Sequence, residues 1–281
     1  MSESRQRWRL VFARDEEARF LSHLDAVKLW ERAFRRGGIP VATSEGFSPR
    51  PRVIFAAPLQ LGMLAEHELA DLFLAERLTS HDLRARLAAG MPRGYRLVEL
   101  DDEWVGAPAL APQLAAADYR LNLLYVDRPA VEEGIRTLLA AERLPRERHR
   151  EDKVVAYDLR PLLIDLQVRA GRVAVAVGGV PEAPDLSGTA AAGSASSAGS
   201  AVFSAAKALP PDVVAGVCLW MRLRHTQDEG SGRAEEVVAA LAEALPDRRA
   251  AGPGEAVAES TAVEMVHPVR ERLWLSRELT S

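Results

Sequence analysis

Three stretches bring together residue types able to do chemistry. The first is Phe20-Leu21-Ser22-His23-Leu24-Asp25, where a hydroxyl, an imidazole and a carboxylate lie almost side by side. A nucleophilic triad needs those groups to converge in space, and consecutive positions at a helix start point in different directions. The spacing fits a helix N-terminus instead, with Ser22 as N-cap, His23 in the first turn and Asp25 at N3. His23 is the candidate general base of the chain.

The second stretch is Ser44-Glu45-Gly46-Phe47-Ser48-Pro49-Arg50-Pro51-Arg52. Gly46 permits positive φ and the prolines hold the following residues extended, so Arg50 and Arg52 are expected to project to one side. Two guanidinium groups beside Phe47 and the hydroxyls of Ser44 and Ser48 have the chemistry to hold a phosphate and stack a base. A rigid structural loop with solvated arginines accounts for the same residues.

The third is Tyr157-Asp158-Leu159-Arg160-Pro161, where residues two apart on a strand share a face,. Asp158 and Arg160 can then pair with each other or jointly hold a ligand. Arg222, Arg224 and His225 precede the turn Gly230-Ser231-Gly232-Arg233, whose amides could receive an anion at a helix start,. His149 lies in a run of alternating charge and is read as part of a solvated loop. The six histidines show no i, i+4 or HxH spacing, so no metal site is expected, and no cofactor,.

The elements that would position these groups follow from periodicity. Trp8, Leu10 and Phe12 alternate with Arg7, Arg9 and Val11 as in a half-buried strand,. Leu24, Val27, Trp30 and Phe34 follow helical spacing until Gly37-Gly38 and Pro40. Apolar runs at 53–57 and 69–74, a helix at 81–89 and a strand at 95–100 complete a β-α-β-β-α-β order. The order recurs with strands at 119–126, 154–168, 217–223 and 263–269 and helices at 131–142 and 234–245. Leu162, Ile164, Leu166 and Val168 are placed on one strand face, and Val173 to Val177 are read as a hairpin extension. The expectation is an α+β protein of tandem ferredoxin-like modules, 1–106 and 118–281, each with a four-stranded antiparallel sheet. An Ala/Ser/Gly-rich insertion at about 183–209 is too poor in large apolar groups to order itself.

With 48% hydrophobic and 27% charged residues, the composition excludes a fibrous or disordered chain,. No apolar run reaches bilayer length and the first residues are charged, so a cytoplasmic protein without a membrane partner is expected. Cys218 is the only cysteine. This chain alone builds no disulfide and no cysteine-held cluster. The net charge of −4 argues against non-specific coating of nucleic acid,. Residues 1–60 nevertheless carry 11 Arg and Lys against 7 Asp and Glu, an excess of four positive charges,.

Phe20 to Asp25, followed by Ser44 to Pro51, resembles the FLSHLD and SEGFNPHP signatures of a bacterial family of unknown function, the radical SAM-linked proteins. These are encoded beside, or fused to, a cobalamin-binding-type radical SAM protein. Tyr157 to Pro161 and Ser231-Gly232-Arg233 resemble its later YDxRP and SGRP stretches. The chain departs from the pattern with Ser48 for Asn, Arg50 for His and Ala234 for Pro, and an arginine cannot serve as an acid or base. The resemblance implies an accessory role, with the radical chemistry in a separate radical SAM protein and this chain presenting or recognising a substrate, RNA being one candidate. A second expectation, by fold analogy with tandem ferredoxin-like endoribonucleases, is RNA processing with His23 as base.

Overall fold

The computed structural model describes residues 4–44, 49–150, 153–176, 213–245 and 263–279. The alternating start of the chain forms β1 (Gln6–Arg14), whose Trp8, Leu10 and Phe12 enter an apolar cluster with the helices that follow. The opposite face of β1 is also buried, contrary to a half-solvated strand. Arg7 and Arg9 are 2% and 4% exposed. Asp71 pairs with both, Glu103 pairs with Arg9, and the carbonyls of Ala107 and Pro108 accept from Arg7. The segment between the halves thus closes over Arg7 and accepts two of its hydrogen bonds, while Arg7 Nε is buried without a partner among the described residues.

Helix α1 (His23–Arg36) starts at Ser22, whose Oγ accepts from the Asp25 amide at 3.2 Å and donates to the Asp25 carboxylate at 2.7 Å. Its Ala26, Trp30, Ala33 and Phe34 are buried at helical spacing,. β2 (Val53–Phe55) and β3 (Leu64–Leu74) pair antiparallel, and α2 (Ser80–Gly90) leads into β4 (Tyr95–Glu103). Across the sheet the first half reads β4-β1-β3-β2.

The second half comprises β5 (Leu114–Leu124), α3 (Arg128–Ala140), the separate hairpin β6 (Pro145–Arg150) and β7 (Lys153–Asp158), then β8 (Leu163–Ala176) and β9 (Val213–Thr226). Short β10 (Gly230–Ser231), α4 (Ala234–Ala244), β11 (Glu264–Leu275) and α5 (Ser276–Leu279) follow. Here the order is β11-β5-β9-β8, with β10 beside the end of β9.

Two separate antiparallel sheets were the expectation, and the described residues form one large sheet of nine strands. Its pairs are antiparallel except β11 with β3, which run parallel through Val269–Leu64 and Arg270–Ala65. The reason lies in the shortness of β2. It covers β3 only from Ala70 to Leu72, and the uncovered remainder of that edge takes β11,. The larger apolar cluster accordingly contains Val11, Met63 and Leu69 together with Leu121, Leu138 and Leu241.

Four local expectations change. The single strand expected at 154–168 is broken by a 3-10 turn at Arg160–Leu162, where Pro161 supplies no ladder amide,. A register shift between Leu163 and Asp165 turns Leu163 and Leu166 inward and leaves Ile164 43% exposed,. β8 runs straight through Val173 and Val175 to Ala176 against β9, with no hairpin there. The run holding His149 is strand β6, since pairing with β7 satisfies its backbone. Val177 and the insertion at 183–209 lie outside the described residues. Among those described, no helix is long and apolar enough to cross a membrane.

Candidate functional site

A cleft opens where the first turn of α1 meets the ends of β1, β2 and β4 and the loop before β3. Phe12, Trp30, Phe55 and Tyr95 form its aromatic wall, Arg14 and Glu68 its polar side, and His23 lines it from the helix start. The rings pack edge to face, with Trp30 centroids 5.1 Å from Phe12 and 5.4 Å from Tyr95,. His23 stands at 86° to Phe55, 5.9 Å between centroids. The space is about 20 Å³, room for one water,. Trp30 Nε1 is buried without an acceptor among the described residues.

Arg14 is held rigidly. Its guanidinium donates to the carbonyls of Met63 at 3.1 Å, Gln60 at 2.6 Å and Leu21 at 3.3 Å, so it anchors the loop that forms the cleft's lip. Burial pushes the Arg14 guanidinium below its ordinary value and the neighbouring Tyr95 hydroxyl above its own,. Glu68 pairs with Arg270 from β11, Nε to Oε1 at 2.6 Å, and the two side chains are 4% and 3% exposed. Burial alone would lower the Arg270 pKa, but the charge and hydrogen bond of Glu68 leave it raised. Gln60 reaches Glu235 of α4 at 2.6 Å. Beyond Arg270, burial first and its positive charge second push His225 down to about 4.

The sequence-predicted residues separate. Ser22 bonds to Asp25 and both are exposed, so no relay runs from hydroxyl through His23 to carboxylate. Ser44 closes its loop by donating its amide to the Arg50 carbonyl at 2.8 Å and accepting the Arg50 amide on Oγ at 3.1 Å. Glu45, Gly46, Phe47 and Ser48 at the loop tip lie outside the described residues. Arg52 is committed elsewhere, 4.0 Å over the Phe73 ring and bonded to Ser4 at 3.0 Å, while Arg50 is exposed. The expected pair of projecting arginines is therefore reduced to Arg50.

Asp158 and Arg160 do not pair through their side chains. The Asp158 carboxylate accepts the amides of Leu144 and Arg160 at 2.7 and 3.0 Å, which lowers its pKa, and it stays outward. The Arg160 guanidinium donates to the carbonyls of Leu139 and Leu163. Both residues fasten the turn between β7 and β8. Arg224 and His225 end β9 beside β10, and Arg233 is the N-cap residue of α4 without a side-chain cap. No group of three metal-ligating side chains stands together among the described residues.

Sequence reading passed over Arg14, Glu68, Tyr95 and Arg270. Strand parity was the available signal for two of them: Arg14 shares a face with Trp8, Leu10 and Phe12, and Glu68 with Ala70 and Leu72,. Arg270 gave no such signal, because register shifts interrupt β11 on both sides of it.

No functionally curated protein matches the sequence. A solved structure, the "Crystal Structure of an Unknown Protein from Galdieria sulphuraria", is 12% identical over 85% of this chain and 91% of that one, with a TM-score of 0.23. An overlap that low supports no argument. Residues 7–186, more than half of the sequence, match the profile of a family described as "Uncharacterized protein conserved in bacteria (DUF2344)". The chain belongs to the DUF2344 family of bacterial proteins.

Proposed function

We propose that this chain is a non-catalytic accessory protein that binds and presents a substrate to a separate radical SAM enzyme. The observation that carries the reading is the cleft under α1: an aromatic wall, a half-buried imidazole and an arginine already satisfied by backbone carbonyls. With room inside for one water, such a site would meet an apolar or planar group at its aromatic rim, and it offers orientation more than proton transfer,. The motif resemblance supports the identity of the enzyme, and one cysteine is too few to hold a radical SAM cluster in this chain,. The strand orders β4-β1-β3-β2 and β11-β5-β9-β8 support a tandem ferredoxin-like duplication fused into one sheet,.

Co-expression with the radical SAM protein encoded beside its gene is the test. The two should co-elute, and turnover should need both, with Phe55→Ala lowering turnover while leaving the complex intact. A genome without such a neighbour, or two proteins that elute apart, removes the reading. RNA is a candidate substrate through exposed Arg50, in which case binding weakens with salt at roughly −0.7 per phosphate neutralised. The position of His23 on the cleft favours one other reading, endoribonuclease activity. It requires RNA cleavage that disappears in His23→Ala.

A further inference from the structure

The outer surface around the cleft combines two features that a solvated face does not need. Phe20, Leu24 and Leu61 are 64%, 70% and 66% exposed. Large apolar groups left this open side by side mark an interaction surface. Phe20 and Leu61 are neighbours: the Gly62 amide donates to the Arg19 carbonyl at 2.8 Å, and the Phe20 ring lies 4.0 Å from where a Cβ on Gly62 would sit. Leu24 is the second residue of α1, next to His23 at the cleft.

From Leu24 the same helix stripe continues through Lys28, Arg32 and Arg35, at intervals of four, four and three residues,. All three cations are exposed and make no ion pair among the described residues. Arg36 and Arg86 are employed differently, donating to the carbonyls of Gly90 and Gly38 at the helix ends. From Lys28 to Arg35 the stripe carries three positive charges over about 10 Å at the helical rise, with Asp25 and Glu31 three or four residues from Lys28 and Arg35 and the balance positive,.

We propose that this apolar cluster and the basic stripe, beside the cleft and leaving it free, form one docking surface for an acidic segment of another protein, bearing an apolar side chain that packs on Phe20, Leu24 and Leu61. Charge complementarity assigns the carboxylates to Lys28, Arg32 and Arg35. The apolar cluster selects protein over nucleic acid. Two of its three members are aliphatic and offer no face for base stacking, and the guanidinium of Arg19 already stacks 4.7 Å from the Phe20 ring,. Such a surface would give the accessory role its point of attachment and rests on that role.

The full chain, immobilised, is panned against a displayed random dodecapeptide library, and enriched peptides are synthesised and titrated by fluorescence anisotropy. The expected peptides are rich in Asp and Glu around a Leu, Phe or Trp. Their affinity should fall by at least about tenfold in Arg32→Glu and in Leu24→Ser, with only the former loss shrinking at high salt. Both substitutions are at exposed sites, and unchanged melting curves confirm the fold. Enrichment without acidic bias, affinity that survives both variants, or no enrichment at all overturns the surface. So does a labelled oligouridylate that binds more tightly than the peptides and is lost in the same variants, or self-association of the chain abolished by them. Peptide binding uses no radical SAM protein, so its failure beside successful co-elution removes only this surface, and the converse removes only the accessory role.

Discussion

His225 ends β9 with Nδ1 buried and unpartnered among the described residues, and its pKa is held at about 4 against an ordinary 6.5. Both causes, burial and the charge of Arg270, oppose protonation. The folded chain therefore binds fewer protons here than the unfolded one. Stability from this residue is complete above pH 6.5 and is lost as pH falls toward 4,. The loss approaches about 3 kcal/mol at most. Melting temperatures at pH 7.5 and 4.5 should differ, and His225→Gln should narrow the gap. An equal gap in wild type and variant refutes the assignment. At this scale the local rules were legible in sequence: Ser22 and Asp25 cap α1 as their spacing required. Asp158 and Arg160 were not, because their partners, Leu144 and Leu139, come from elements far along the chain.

Helices α1 and α2 meet at their C-terminal ends, and each caps the other. Arg36 donates to the Gly90 carbonyl at 2.8 Å and Arg86 to that of Gly38 at 2.5 Å, placing positive charge where both helix dipoles are negative,. The approach is possible because Gly37 lacks a side chain. A Cβ there would lie 2.5 Å from the backbone oxygen of Arg86. Gly37→Ala should push the helices apart and cost about 1–3 kcal/mol in urea denaturation, the usual penalty of overpacking. A midpoint unchanged from wild type would show that the helix pair has slack. Sequence reading placed Gly37 correctly as a helix stop, yet close packing against α2 is a second reason for the residue that periodicity does not reveal.

At the scale of the whole molecule, the buried Glu68–Arg270 pair joins the halves where β11 runs parallel to β3. Removing one partner leaves a buried charge alone, so Glu68→Ala or Arg270→Ala should destabilise by about 3–5 kcal/mol. The double variant Glu68→Leu with Arg270→Met should recover most of that loss, since apolar groups of similar volume need no counter-charge. Additive losses in the double variant, measured by denaturant melts, would mean that the pair is not coupled. The cleft depends on the same seam, because Glu68 lines it and Arg270 holds Glu68 from the other half.

The sequence by itself determined the elements whose causes are local. Alternation made β1, helical spacing with a cap made α1, and the same two signals placed α2, α3 and α4 and most strands near their observed positions,. It also determined that the chain, with one cysteine, builds no disulfide and no cysteine-held cluster by itself,. Tertiary structure alone decided that two expected sheets are one, because that turned on three residues of β2 leaving an edge of β3 free. It alone assembled the cleft from β1, β2, β3, β4 and α1. Periodicity reports which face of an element turns inward; it does not report which other element meets that face, and a site built from such meetings is visible only once the chain has folded.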